Sequence, residues 1–202
     1  MPAPLVFHFD FISPYGYFAS LGIEALAARH GRTVDWRPML LGVSVLRVMG
    51  LKPLLDTPLK GDYVRHDVLR HARRHGIRLG RDLNAPIGNP LPAARAFCWV
   101  KRNRPDAEAA MAHALYHAVW AEGRELSTPE AVAAIALPAG LDATAVAEGA
   151  ASEEAAKLLR DAVAASIEAG VFGSPTVVVD GECFWGVDRL PEVEEWLRCG
   201  GW

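Results

Sequence analysis

Strand-forming residues sit only at the two ends of this chain, which confines any sheet to a small one with the rest of the protein helical. Leu5 to Phe11 (LVFHFDF) reads as a buried strand and Thr33 to Met39 (TVDWRPM) as a second. Between them Tyr15 to about His30 reads as a helix closed by Gly31. From about Leu40 to Gly173 convincing strands disappear and alanine-rich helical periodicity takes over. Lys60 to His75 carries Val64, Val68, Leu69 and Ala72 on one face, and Ala107 to Glu122 carries Met111, Ala114, Leu115, Ala118 and Val119 in the same way. Ser127 with Glu130 forms a capping box around Pro129, and Ser152 to Ala169 makes a long helix ended by Gly170. Strands return at Thr176 to Val179 and Glu182 to Trp185, joined by the hairpin signal Asp180-Gly181. A terminal helix from Arg189 to Cys199 then turns Leu190, Val193 and Leu197 inward. The order is βαβ, a block of helices, then ββα. This is an α/β class in which residues 1–39 and 174–202 form the sheet domain and 40–173 a helical insertion on one face of a small mixed sheet.

The stretch FDFISPYGYFAS places Ser13 and Pro14 directly ahead of the first helix. Ser is a preferred N-cap and Pro a preferred first helical residue, so the pair starts a helix. A strand feeding a helix N-terminus is also an anion site, and Ser13 holds a hydroxyl there.

Composition narrows the function. The chain has 202 residues, 51% of them hydrophobic, yet no apolar run reaches the roughly 18 residues a membrane span needs. MPAPLVFHFD lacks the pattern of a secretory signal, so a cytoplasmic protein is expected. A net charge of -3 with arginines spread along the chain argues against a nucleic-acid binder and points to a small substrate. Cys98, Cys183 and Cys199 form no C-x-x-C and read as bystander thiols rather than a disulfide framework or zinc site. His71 and His75, like His113 and His117, stand at i, i+4 spacing, but no H-E-x-x-H pattern accompanies them, so no metal is expected. Ser13 lacks the G-x-S-x-G setting of a serine hydrolase despite nearby His8.

A βαβ plus ββα arrangement with a small polar residue at the first strand-to-helix turn is the thioredoxin plan. Redox members carry C-P-x-C at that turn. Here the four places hold Ser13, Pro14, Tyr15 and Gly16, so the turn cannot perform dithiol exchange and a thiol would have to come from a cofactor. In the same plan Pro175 of GSPT is the place of a cis proline facing the active turn.

With these residues, FDFISPYGYFA, TPLKGDYV and GVFGSPTVVVDGECFWGVDRL resemble the 2-hydroxychromene-2-carboxylate isomerases, relatives of kappa-class glutathione transferases, over nearly the whole chain. The resemblance implies a thioredoxin-like fold with a large helical insertion, glutathione as cofactor, a small aromatic substrate and a homodimer. It gives Ser13 the catalytic, thiolate-stabilising role and Lys60 a place at the active cleft. It gives Ser174, ahead of Pro175, a backbone that pairs with the cysteinyl part of glutathione. Trp185, Gly186, Val187 and Asp188 are assigned the γ-glutamyl end, with Asp188 facing its ammonium; Asp188 also reads as an N-cap for the last helix. The implied reaction adds the glutathione sulfur to the chromene carboxylate, opens the ring, rotates a carbon–carbon bond and eliminates glutathione. A conjugating kappa-like transferase and a noncatalytic peptide binder using the Pro175 groove are the alternatives. Three positions depart from the family pattern: Gly16 where Ser or Ala is usual, Ser174 where an apolar residue is usual, and Leu51 in GLKP where an Asn is usual.

Overall fold

The computed structural model describes residues 2–137 and 139–202. β1 (Leu5–Phe9), α1 (Pro14–Ser20), α2 (Ile23–Arg29) and β2 (Val34–Pro38) form the first unit, and β3 (Thr176–Val179), β4 (Glu182–Trp185) and α9 (Leu190–Cys199) the last. Between them run α3 (Lys60–His75), α4 (Leu91–Asn103), α5 (Glu108–Tyr116), α6 (Pro129–Ala136), α7 (Ala143–Ala151) and α8 (Glu153–Glu168). The sheet order is β2-β1-β3-β4, with β1 parallel to β2 and antiparallel to β3. This is the expected thioredoxin plan. Among the described residues no helix is long and apolar enough to cross a membrane.

β1 is central because its alternate residues serve two layers. Leu5, Phe7 and Phe9 are fully buried on one face. The Phe9 ring meets Trp36 of β2 at 5.5 Å, Phe97 of α4 at 5.1 Å and Tyr116 of α5 at 5.9 Å, mostly edge-on, so one side chain ties the sheet to the helical block. On the opposite face the buried His8 holds its Nδ1 2.9 Å from Ser166 Oγ on α8. The β3–β4 hairpin turns through Asp180 and Gly181, both at positive φ, as the tight turn requires.

Several elements differ from the sequence reading. β1 stops at Phe9, because the Asp10 carboxylate draws in the N–H groups of Ile12 and Leu41 and turns the chain out of the sheet. The helix from Tyr15 to His30 is two helices, broken at Gly22, where the backbone leaves the helical region. On α3, Val64, Val68 and Ala72 are buried but Leu69 is 42% exposed, turned off the packed stripe. The segment 107–122 is α5 continued by a π turn, His117–Ala121. Thr128, not Ser127, caps α6, accepting from Ala131 N at 3.2 Å. The Ser127 hydroxyl is committed elsewhere, accepting from Asn89 N and donating to Glu125. Ser152 caps α8 and Gly170 follows its end at positive φ, as read.

Burial holds the His8 pKa down to about 4, Arg37 adding to the effect and Asp35 opposing it. The folded state keeps this imidazole neutral while the unfolded chain takes up a proton near its ordinary value. The stability it contributes is therefore full above that value and is lost as pH falls toward about 4. Relative to wild type, His8→Gln should gain about 2–3 kcal/mol on going from about pH 6.5 to about pH 4.5, read by urea unfolding at each pH. Parallel pH dependences would contradict this account of His8.

Candidate ligand site at the first strand-to-helix turn

The turn is built on Asp10. Its carbonyl accepts from Ser13 N and from Tyr116 Oη, each at 3.0 Å, and its N–H donates to Ser174 Oγ at 3.0 Å. Its carboxylate accepts from Ile12 N at 3.2 Å and Leu41 N at 2.8 Å. One residue thus joins the end of β1, the start of the helical block, α5 and the segment ahead of β3. Burial raises the Asp10 pKa to about 6, against the lowering effect of those two N–H donors.

Ser13 caps α1: its Oγ accepts from Gly16 N at 3.0 Å, and Pro14 is the first helical residue. The same hydroxyl donates to Ser174 O at 2.8 Å, so it bonds on both sides and is only 3% exposed. The expected helix dipole is short here, because the break at Gly22 leaves α1 seven residues long. What the turn offers is directed hydrogen bonding. Tyr15 Oη donates to Asp67 Oδ2 at 2.7 Å and docks α3 on α1. Burial, then the Asp67 contact, pushes that phenol's pKa up.

The Ser174–Pro175 peptide is cis, and it lies against this turn through the Ser13 bond. Pro175 O accepts from Gly186 N at 3.0 Å, bringing the Trp185–Asp188 segment to the same edge. A Cβ on Gly173 would stand 2.3 Å from Trp185 Nε1, so the indole lies directly over that glycine. The ring meets Phe172 edge-on at 4.8 Å, and both aromatics are about half exposed. Val187 opens a short 3-10 turn, Val187–Arg189, that packs against α1.

The structure therefore gathers Ser13, Ser174, Pro175, Trp185, Gly186 and Val187. Asp188 lies on the same segment with its side chain 72% exposed, 3.6 Å from Arg189. It does not cap α9, whose N-cap is Arg189 with no side-chain bond. Lys60 stands exposed at the first position of α3, and the hydrogen bond that docks α3 on α1 lies two turns further along, at Asp67. Leu51 is exposed.

Of the histidine pairs, His71 stacks on Phe18 and its ring lies 4.4 Å from that of His75 at a tilt, while His113 pairs with Glu24 at 2.6 Å and His117 lies 3.4 Å from Glu122. Cys98 is buried in the helical block, its thiol pushed up to about 12 by that burial.

Sequence reasoning did not single out Asp10, Tyr116 or Trp120, whose Nε1 donates to Phe11 O at 2.8 Å. Asp10 alone carried a signal, a carboxylate inside an apolar run. Asp10→Asn turns an amide donor toward one of the two N–H groups that the carboxylate now accepts from. Because burial makes the ionised form the costlier one in the folded protein, wild-type stability relative to Asp10→Asn should fall as pH rises from about 4 to about 7, read by urea unfolding at each pH. A difference that stays constant over that range would contradict this account of Asp10.

Residues 4–198 match the DSBA-like thioredoxin domain. The chain is 30% identical over 192 residues to a 2-hydroxychromene-2-carboxylate isomerase of Pseudomonas putida, across 91% of this chain and 89% of the relative. It is 26% identical over 204 residues to glutathione S-transferase kappa 1 of Homo sapiens, across 94% and 88% of the two chains. A solved 2-hydroxychromene-2-carboxylate isomerase superposes with a TM-score of 0.82 at 27% identity, across 96% of this chain and 94% of that one.

Proposed function

From the premise that the chain belongs to the 2-hydroxychromene-2-carboxylate isomerase family, within the DSBA-like thioredoxin domains, we propose that it is a glutathione-dependent isomerase. Its substrate is 2-hydroxychromene-2-carboxylate or a close aromatic analogue, and its product trans-o-hydroxybenzylidenepyruvate. The observation that carries this reading is the Ser13 hydroxyl, bonded to the carbonyl of the residue before the cis proline at a turn with no cysteine. Similarity to a kappa-class glutathione transferase supports glutathione as the thiol.

The residues present fit a tripeptide thiol. Glutathione, when bound, supplies the sulfur nucleophile that Ser13-Pro14-Tyr15-Gly16 lacks. Gly16 N–H holds Ser13 Oγ in place, so the hydroxyl hydrogen can rotate from Ser174 O toward a sulfur without moving the oxygen. A charge-assisted bond of that kind favours thiolate over thiol. Ser174, at the cis turn, offers backbone to an extended peptide. The Phe172–Trp185 pair forms an apolar wall beside it, and the exposed Asp188 carboxylate is open to an ammonium group.

Incubation of the purified protein with the chromene carboxylate should give isomerisation with glutathione, none with S-methylglutathione, and no net consumption of the thiol. Equal rates with glutathione and with S-methylglutathione would sink the proposal. Stoichiometric appearance of a conjugate would instead assign a transferase.

A further inference from the structure

Two of the departures from the family pattern, Gly16 and Ser174, meet at one point in space. A Cβ on Gly16 would lie 2.4 Å from Tyr116 Oη, 2.9 Å from Ser174 Oγ and 3.3 Å from Ser13 Cβ. Real Cβ atoms do not approach that closely, so two hydroxyl groups occupy the room a side chain at position 16 would take. Neither oxygen is the free end of a flexible chain. Tyr116 is fully buried, with its ring against Phe11 at 5.0 Å and Tyr17 at 6.0 Å, and its Oη donates to Asp10 O. Ser174 Oγ accepts from Asp10 N, and its own backbone carbonyl takes the Ser13 proton.

We infer that Gly16, Ser174 and Tyr116 are a matched set, and that Tyr116 is a positioning residue for Ser13. The Tyr116 hydroxyl fixes the Asp10 carbonyl, which takes the Ser13 N–H. Together with Ser174 Oγ it fills the space beside the Gly16 backbone, whose N–H in turn holds Ser13 Oγ. Ser13 is thereby held within its own turn by Gly16 and Asp10 and from two segments distant in sequence, directly by Ser174 and through Asp10 by Tyr116. Tyr116 touches no reacting atom; it acts through the aim of Ser13. Its place in catalysis rests on the reading of Ser13 as the partner of a bound thiolate. The geometry of the set does not.

Ser13→Cys puts a reporter thiol in the turn that needs no ligand, and its ionisation is followed by ultraviolet thiolate absorbance against a Ser13→Ala blank carrying the same three native cysteines. Adding Tyr116→Phe should raise the pKa of that thiol by about one unit, a roughly tenfold drop in thiolate at pH well below it. Adding Ser174→Ala should move it the same way, and this variant carries the test if Tyr116→Phe does not fold. Gly16→Ala alone should weaken glutathione binding at least tenfold, and Tyr116→Phe should recover part of that loss by removing the 2.4 Å clash.

A reporter thiol that titrates unchanged in the folded variants, with only the melting temperature moving, would reduce Tyr116 to a packing residue and overturn the inference. So would a Gly16→Ala defect equally severe in either background. If the reporter responds while the wild-type protein binds no glutathione, the matched set stands and the isomerase reading falls. If glutathione binds and the reporter does not respond, the positioning role falls alone.

Discussion

The hydrogen bond from Ser13 Oγ to Ser174 O closes a span of 161 residues, and the site exists only while that closure holds. A single bond of this kind contributes about 1 kcal/mol net, far less than the entropy of closing so long a loop. Its geometry is therefore imposed from below. β1 pairs antiparallel with β3 in the register His8 opposite Thr176, which sets the ends of the two strands side by side before any polar contact is made. The burial of Phe7 and Phe9 fixes which face of β1 points to α4 and α5, and a slip of one residue would turn those rings to the other face. Asp10, the first residue past β1, then converts strand register into site geometry.

The parts of the fold set by local physics were readable from the residues. The aromatic run as far as Phe9, the β-branched run at 176–179 and the Asp180-Gly181 turn each carry their own reason to adopt the observed backbone. The same holds for Ser13 as a cap and for Ser152 at the start of α8. Resemblance named Ser174, Pro175 and the Trp185–Asp188 segment as candidates, and the structure brings the turn, the cis peptide and Gly186 to one edge.

What could not be read depends on partners distant in sequence. Ser127 and Thr128 are chemically near-equivalent caps, and the choice between them is made by Asn89, 38 residues upstream of Ser127. Leu69 shares the helical period of α3's buried stripe, but exposure follows from what the helix packs against. A lone glycine in a helical pattern is often tolerated, so Gly22 carried no certain break. Tyr116 sits in an alanine-rich helix with nothing local to mark it. Its role follows from Asp10 and Gly16, each about one hundred residues away in sequence. Lys60 shows the opposite limit, since resemblance supplied a residue whose reach the fold alone does not explain.

The central claim is that the Ser13 hydroxyl stabilises a bound thiolate and does more than cap a helix. Titration of glutathione bound to the wild-type protein and to Ser13→Ala, followed by thiolate absorbance alongside the melting temperature, separates the two roles. The account predicts a bound-thiol pKa well below the ordinary value of about 8.5 in the wild type, rising by about one unit or more in the variant. A cap alone would cost about 1 kcal/mol of folding stability and leave the bound thiol's ionisation where it was, and that result would contradict the account.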